Sequence, residues 1–200
     1  MNELKIKITG TSPLLMHSER GANITDPDVK LHKALTGKRN KTDEDHYAIA
    51  HSEFLLAAYA DKTPTSKGAP VLPTRNIWKT AVQGGRLTKL GKKLERGTVI
   101  IPDVEPLRYS GPKTFEALWN APGGAYVDLR GVVVNNKRLM RCRPRFNEWW
   151  VETVMQFDPS QIDEREILQS FNNAGSYIGI GDFRPECSGK MGRFSVEQIG

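Results

Sequence analysis

Arg141, Arg143 and Arg145 recur at a spacing of two, with Lys137 in the same parity and Arg138 one step out of it near a turn. On a β-strand alternate side chains leave opposite faces, so the three arginines stand on one side about 6.6 to 6.8 Å apart. Planar guanidinium groups at that repeat suit the successive phosphates of an extended polynucleotide. From Arg130 to Asn147 no acid neutralises them. The same run would also suit an edge strand guarded by charge against further pairing, where Pro144 is tolerated. Phe146, Trp149 and Trp150 follow. If 149–157 is a strand, one of the two adjacent tryptophans must face away from the core, and Trp150 is the candidate for stacking on a base.

A second candidate is the segment 179–192, whose four glycines let a backbone approach phosphate closely, with Gly181, Arg184, Lys190 and Arg193 along it. A helix precedes it and a strand follows, the reverse of the dinucleotide and P-loop contexts. Asp26 and Asp28 flank Pro27 in a loop, a pattern that is more often turn chemistry than metal-assisted catalysis. His17, His32, His46 and His51 offer no ligand spacing, and Cys142 and Cys187 form neither a CxxC nor a disulfide framework. These residues call for no metal and no cofactor.

Charge is segregated along the chain. Three windows, 29–42, 84–96 and 130–147, hold 16 of the 29 Lys and Arg and a single acid, Glu95, for a net +15 against −9 in the remainder. Segregation of that size points to a polyanionic partner. No apolar run approaches the roughly 18 to 20 residues that cross a bilayer. Met1 to Lys7 lacks the apolar stretch and cleavage site of a secretory leader, so a cytoplasmic protein with no membrane partner is expected.

These residues must be positioned by a mixed set of elements. Leu4, Ile6 and Ile8 alternate with lysines, which predicts a half-buried strand. Thr42 with Asp45, Thr74, and Asp163 with Glu166 mark three helix starts. Gly84-Gly85 weakens the second helix, and the basic tail to Arg96 reads as a frayed end or loop. Thr98–Ile101, Trp149–Phe157 and Arg193–Ile199 read as strands, and Asn135-Asn136 as a tight turn between Tyr126–Val134 and Arg138–Arg143. The stretch 18–41 reads as a polar insertion, as does 103–124 apart from one helical turn at Phe115–Trp119. The order predicts an α+β domain over 1–200: a ferredoxin-like (RRM-like) split βαβ core with helices on one sheet face, the other left free to bind.

The pattern Gly-x-Gly-x-x-Arg (179–184), then Gly-x-x-Gly-Arg-Phe-x-Val (189–196), entering a last strand, resembles the C-terminal glycine-rich signature of the RAMP superfamily of CRISPR-associated proteins. The first strand running into Thr9–Leu14, and Val71-Leu72-Pro73-Thr74 ahead of a basic helix, are similar to two further parts of that family. The closing pattern also resembles that of small phage and mobile-element proteins. The resemblance implies an RRM-like core, binding of a guide-RNA backbone, copies stacked side by side on one RNA, and CRISPR-type partner subunits. The reading carried forward is non-catalytic binding of single-stranded nucleic acid, RNA preferred over DNA. A metal-dependent RNA-cleaving nuclease using Asp26 or Asp28, and a phage module that docks on a defence complex, are the alternatives.

Overall fold

The computed structural model describes residues 1–134 and 136–200, and the side chains of Val134 and Lys137 lie outside that description. In chain order the elements are β1 (Asn2–Gly10), β2 (Leu14–Leu15), α1 (Pro27–Thr36), α2 (Asp43–Ala57), β3 (Val71–Pro73), α3 (Thr74–Arg86), α4 (Gly91–Gly97), β4 (Thr98–Ile100), β5 (Val104–Pro106), α5 (Phe115–Trp119), β6 (Val127–Val134), β7 (Lys137–Phe146), β8 (Trp150–Phe157), α6 (Glu164–Asn173) and β9 (Phe194–Gln198). Helices and strands are mixed, and the pairs β1–β8, β1–β9, β4–β8, β3–β5 and β6–β7 are all antiparallel. Among the described residues no helix is long and apolar enough to cross a membrane.

The chain divides into two compact units, where the sequence pointed to one domain with insertions. The sheet unit comprises Met1–Leu14, Val71–Ser110 and Phe146–Gly200, and the hairpin unit Leu15–Pro70 and Gly111–Arg145. In the sheet unit four strands lie in the order β4-β8-β1-β9. Leu4, Ile6 and Ile8 of β1 stand opposite Met155, Thr153 and Val151 of β8, and this face is buried. The apolar sides of α3 (Ile77, Ala81) and α6 (Ile167, Phe171) complete that core, the larger of these side chains contributing roughly 1.5–3 kcal/mol each.

Gly84 and Gly85 do not fray α3, which runs through them to Arg86. A Cβ on Gly84 would sit 2.2 Å from the Ser170 carbonyl oxygen and 2.5 Å from the Ala174 nitrogen. The glycine pair thus permits the close crossing of α3 and α6, and the tail to Arg96 is helical in α4 rather than loose.

The hairpin unit corrects the reading of 18–41 as an insertion without periodic structure. Asp26 caps α1, with Pro27 at its first position, and α1 packs on α2. Thr42 and Asp45 form the expected capping box at the start of α2. Phe54 and Ala57 of α2 are buried, while Tyr47 is 60% exposed and its hydroxyl accepts from Trp119 Nε1 at 2.6 Å. β7 pairs along its length with β6, while on its other side it has only the two residues of β2, and there the Cys142 N–H is met by the Glu53 carboxylate in place of a strand.

Candidate nucleic-acid interface

The register of β6 with β7 sets the chemistry of the hairpin. Asp128 stands opposite Arg143 and Arg130 opposite Arg141, on one face with Val132 and Leu139. On the other face Cys142 and Pro144 are buried while Leu129, Val133 and Met140 are exposed. Two arginines directly across a ladder repel each other, and acids from two elements relieve this. Asp128, only 4% exposed, accepts from Arg130 Nε at 2.6 Å and also from its Nη2. Glu53, projecting from α2, accepts from Arg141 Nη1 at 2.6 Å and from the Cys142 backbone N–H at 3.0 Å.

The predicted arginine row is therefore built into the hairpin unit rather than standing clear of it. Arg143 is 8% exposed, Arg141 is half-buried, and Arg145, also half-buried, has an Nε that meets no acceptor among the described residues. Arg138 is exposed near the turn, and the Lys137 side chain and Asn135 lie outside the described residues. Within the hairpin unit Arg141, Cys142 and Arg143 line a cavity of about 370 Å³, together with Val29, His32 and Lys33 of α1 and Glu53, Leu56 and Ala57 of α2. The turn 17–22 closes another side. Two of the three basic windows, 29–42 and 130–147, thus meet around one space. This unit carries 15 Lys and Arg against 10 Asp and Glu, a net +5 of the chain's +6.

His32 Nδ1 lies 2.8 Å from Ser52 Oγ, which is also 2.8 Å from the Ile49 carbonyl oxygen. Burial lowers the pKa of His32 from its ordinary 6.5, with Glu53 opposing and Arg141 reinforcing that shift. Burial likewise pushes the Cys142 thiol up to about 12, aided by the Glu53 and Asp128 carboxylates.

Asp26 and Asp28 are held in a structural clasp. Arg20 donates to Asp26 Oδ2 through Nε (3.1 Å) and Nη2 (2.9 Å), and Nη2 also reaches Asp28 Oδ2 at 2.9 Å. Thr65 Oγ1 accepts from Arg20 Nη1 and donates to Asp28 at 3.3 Å. Asp26 Oδ1 meanwhile caps α1 through the Asp28 N–H. Among the described residues no three His, Cys, Asp or Glu are grouped to hold a metal.

In the sheet unit the glycine-rich segment is folded on itself. A Cβ on Gly189 would lie 1.8 Å from the Phe183 carbonyl oxygen, and one on Gly192 would lie 1.8 Å from that of Ile180. Gly181 has φ of 81°. Arg184 donates to the Gly181 carbonyl and to Glu186, and Arg193 donates to the Ser176 carbonyl at the end of the helical segment after α6. Of the predicted cations here only Lys190 extends without a described partner.

Trp149 is buried and Trp150 lies on the sheet face opposite the helices, as the parity argument required. That face does not collect positive charge. Lys5 and Lys7 share it with Glu3, Glu152 and Glu197, and Lys7 is paired with Glu197 at 3.2 Å. The window 84–96 sits on α3 and α4, where Arg86 pairs with Glu95 at 2.7 Å and Lys93 with Glu166 at 2.6 Å.

Sequence reasoning did not single out Glu53, His32 or Arg20. The signal for Glu53 was an acid directly before the apolar stretch Phe54-Leu55-Leu56-Ala57, where a carboxylate drawn into the packing requires a partner. No family model matches this chain, and no curated protein matches it.

Proposed function

We propose that the hairpin unit binds single-stranded nucleic acid, RNA by preference, through the basic cavity and the α1 and β7 surfaces around it. The observation that carries this reading is the meeting of Lys33 with Arg141 and Arg143 around one space, from windows far apart in sequence. Arg145 stands on the same face of β7 as Arg141 and Arg143, and exposed Lys30 lies one turn from Lys33 on α1, so both can extend the cationic surface. The strand order β4-β8-β1-β9, with α3 between β1 and β4 and α6 between β8 and β9, supports a ferredoxin-like reading of the sheet unit and a RAMP-type ancestry. In this proposal the open sheet face is not the binding surface, because its lysines are matched by glutamates. The reading is of a binding protein, as the candidate carboxylates Asp26 and Asp28 are already engaged by Arg20.

Fluorescence anisotropy with labelled oligouridylate over a salt series tests it. The slope of log K against log salt should be about −0.7 per phosphate neutralised. Lys30→Glu with Lys33→Glu, both exposed and thus safe for folding, should weaken binding across sequences and flatten the slope by about 1 per lost contact. Lys7→Glu on the sheet face should leave affinity within about twofold, well under the tenfold that 1.4 kcal/mol represents. Unaltered affinity in the Lys30/Lys33 reversal defeats the proposal.

A further inference from the structure

The cavity in the hairpin unit is furnished for more than the backbone of a passing strand. Part of its lining is apolar, from Val29, Leu56 and Ala57, and part is charged, with Arg141, Arg143 and Lys33 outnumbering the carboxylates of Glu19 and Glu53. We propose that it takes a nucleotide carrying a terminal phosphate monoester, with the phosphate on the arginines and the sugar or base against the apolar lining. This rests on the nucleic-acid reading for the source of the ligand, but its own chemistry is separable.

Three observations carry it. A volume of about 370 Å³ falls in the range of small-molecule sites. The walls come from four segments, the turn 17–22, α1, α2 and β7, a half-open recess that suits a chain end or a free nucleotide better than a strand running through. Charge is the third. A monoester carries about −1.5 to −2 near neutrality, where an internal diester carries −1. The carboxylate of Glu53 is already occupied by Arg141 and the Cys142 N–H, so it orients the guanidinium instead of repelling the ligand. Arg141 spends Nη1 on Glu53, which leaves Nη2 and Nε as a paired edge for phosphate oxygens. That ordering is in place before binding, which lowers its entropic cost.

The experiment compares one decauridylate sequence with a 5′-phosphate, a 3′-phosphate or hydroxyls at both ends, by anisotropy, with uridine monophosphate and uridine as competitors. A monoester at one end should bind about tenfold tighter than the hydroxyl form, the gain of one charge-assisted contact, and the end preferred identifies the source. Uridine monophosphate should displace it and uridine should not. Arg141→Gln should erase the preference, and Lys33→Ala, at the exposed rim, should halve it or more without a change in melting temperature. Equal binding of all three ends overturns the inference and leaves nucleic-acid binding standing. Absence of binding by any of them overturns both.

Discussion

Removing the Glu53 carboxylate should loosen β7 from α2, by an amount set by the two contacts it makes. Glu53→Ala leaves the Cys142 N–H without an acceptor, which costs about 1–3 kcal/mol in a buried setting. It also strips Arg141 of its counter-charge. A fully buried orphan would cost about 3–5 kcal/mol, but the Arg141 side chain is 36% exposed and water can reach it, so its share is nearer ~1 kcal/mol. Together the loss should be about 3 kcal/mol, or about 6–12 °C in melting temperature for a chain of this size. Glu53→Gln keeps one carbonyl acceptor and should cost about half as much. Arg141→Met, made alone and with Glu53→Ala, closes a double-mutant cycle whose coupling should be about 1 kcal/mol. Hydrogen exchange gives the local readout, because the Cys142 amide should lose protection in Glu53→Ala and keep most of it in Arg141→Met. A Glu53→Ala protein that melts within about 2 °C of the parent, with that amide still protected, refutes the reasoning.

Three other outcomes are expected. A thiol reagent at pH 8 should titrate one cysteine in the folded protein, the exposed Cys187, and both in denaturant, since Cys142 is buried with its pKa near 12; two fast thiols in the native protein would contradict this. Burial raises the pKa of Asp26, but hydrogen bonds from Arg20 and the Asp28 N–H lower it further, to a net value below its ordinary 3.8. Its contribution is therefore fully present above about pH 4 and is lost as pH falls through the folded value. Asp26→Asn, which preserves the cap, should cost about 1 kcal/mol at pH 7 in urea unfolding, with the gap closing steadily below pH 4; a pH-independent gap would remove Arg20 from the account. Gly189→Ala should destabilise by about 2 kcal/mol or more, since its Cβ would overlap the Phe183 backbone, whereas Gly131→Ala, which meets only Met140 Sδ at 3.8 Å, should be near neutral.

Local signals read well from the sequence, and long-range burial did not. The capping pairs Thr42–Asp45 and Asp163–Glu166 are short-range chemistry, and both form as expected. Alternation in β1 and the outward placement of Trp150 follow from a period of two and survive folding intact. The α1 helix was missed because Val29 is its single buried residue, Leu31 and Leu35 give no buried stripe, and propensity over ten residues is weak evidence. Parity placed Arg141, Arg143 and Arg145 on one face, but parity cannot say whether that face meets water. What decided it was Glu53, 88 positions from Arg141, arriving from another element. Glycine spacing in 179–192 was legible as a tight loop, while the carbonyls of Phe183 and Ile180 that demand those glycines were not.

The interleaving of the two units along the chain imposes an order on their birth at the ribosome. All segments of the hairpin unit have been synthesised once Arg145 is made, whereas the sheet unit still lacks β8, α6 and β9. At about 5–20 residues per second the interval from Arg145 to Gln198 lasts roughly 3–10 s. At its start β1 has neither neighbour, and after β8 is made it still lacks β9 and the cover of α6, so Leu4, Ile6 and Ile8 stay incompletely covered and open to chaperones or to a wrong edge. Moving residues 2–14 behind β9 by circular permutation would shorten that exposure, and should raise the yield of folded protein even if the finished molecule is no more stable.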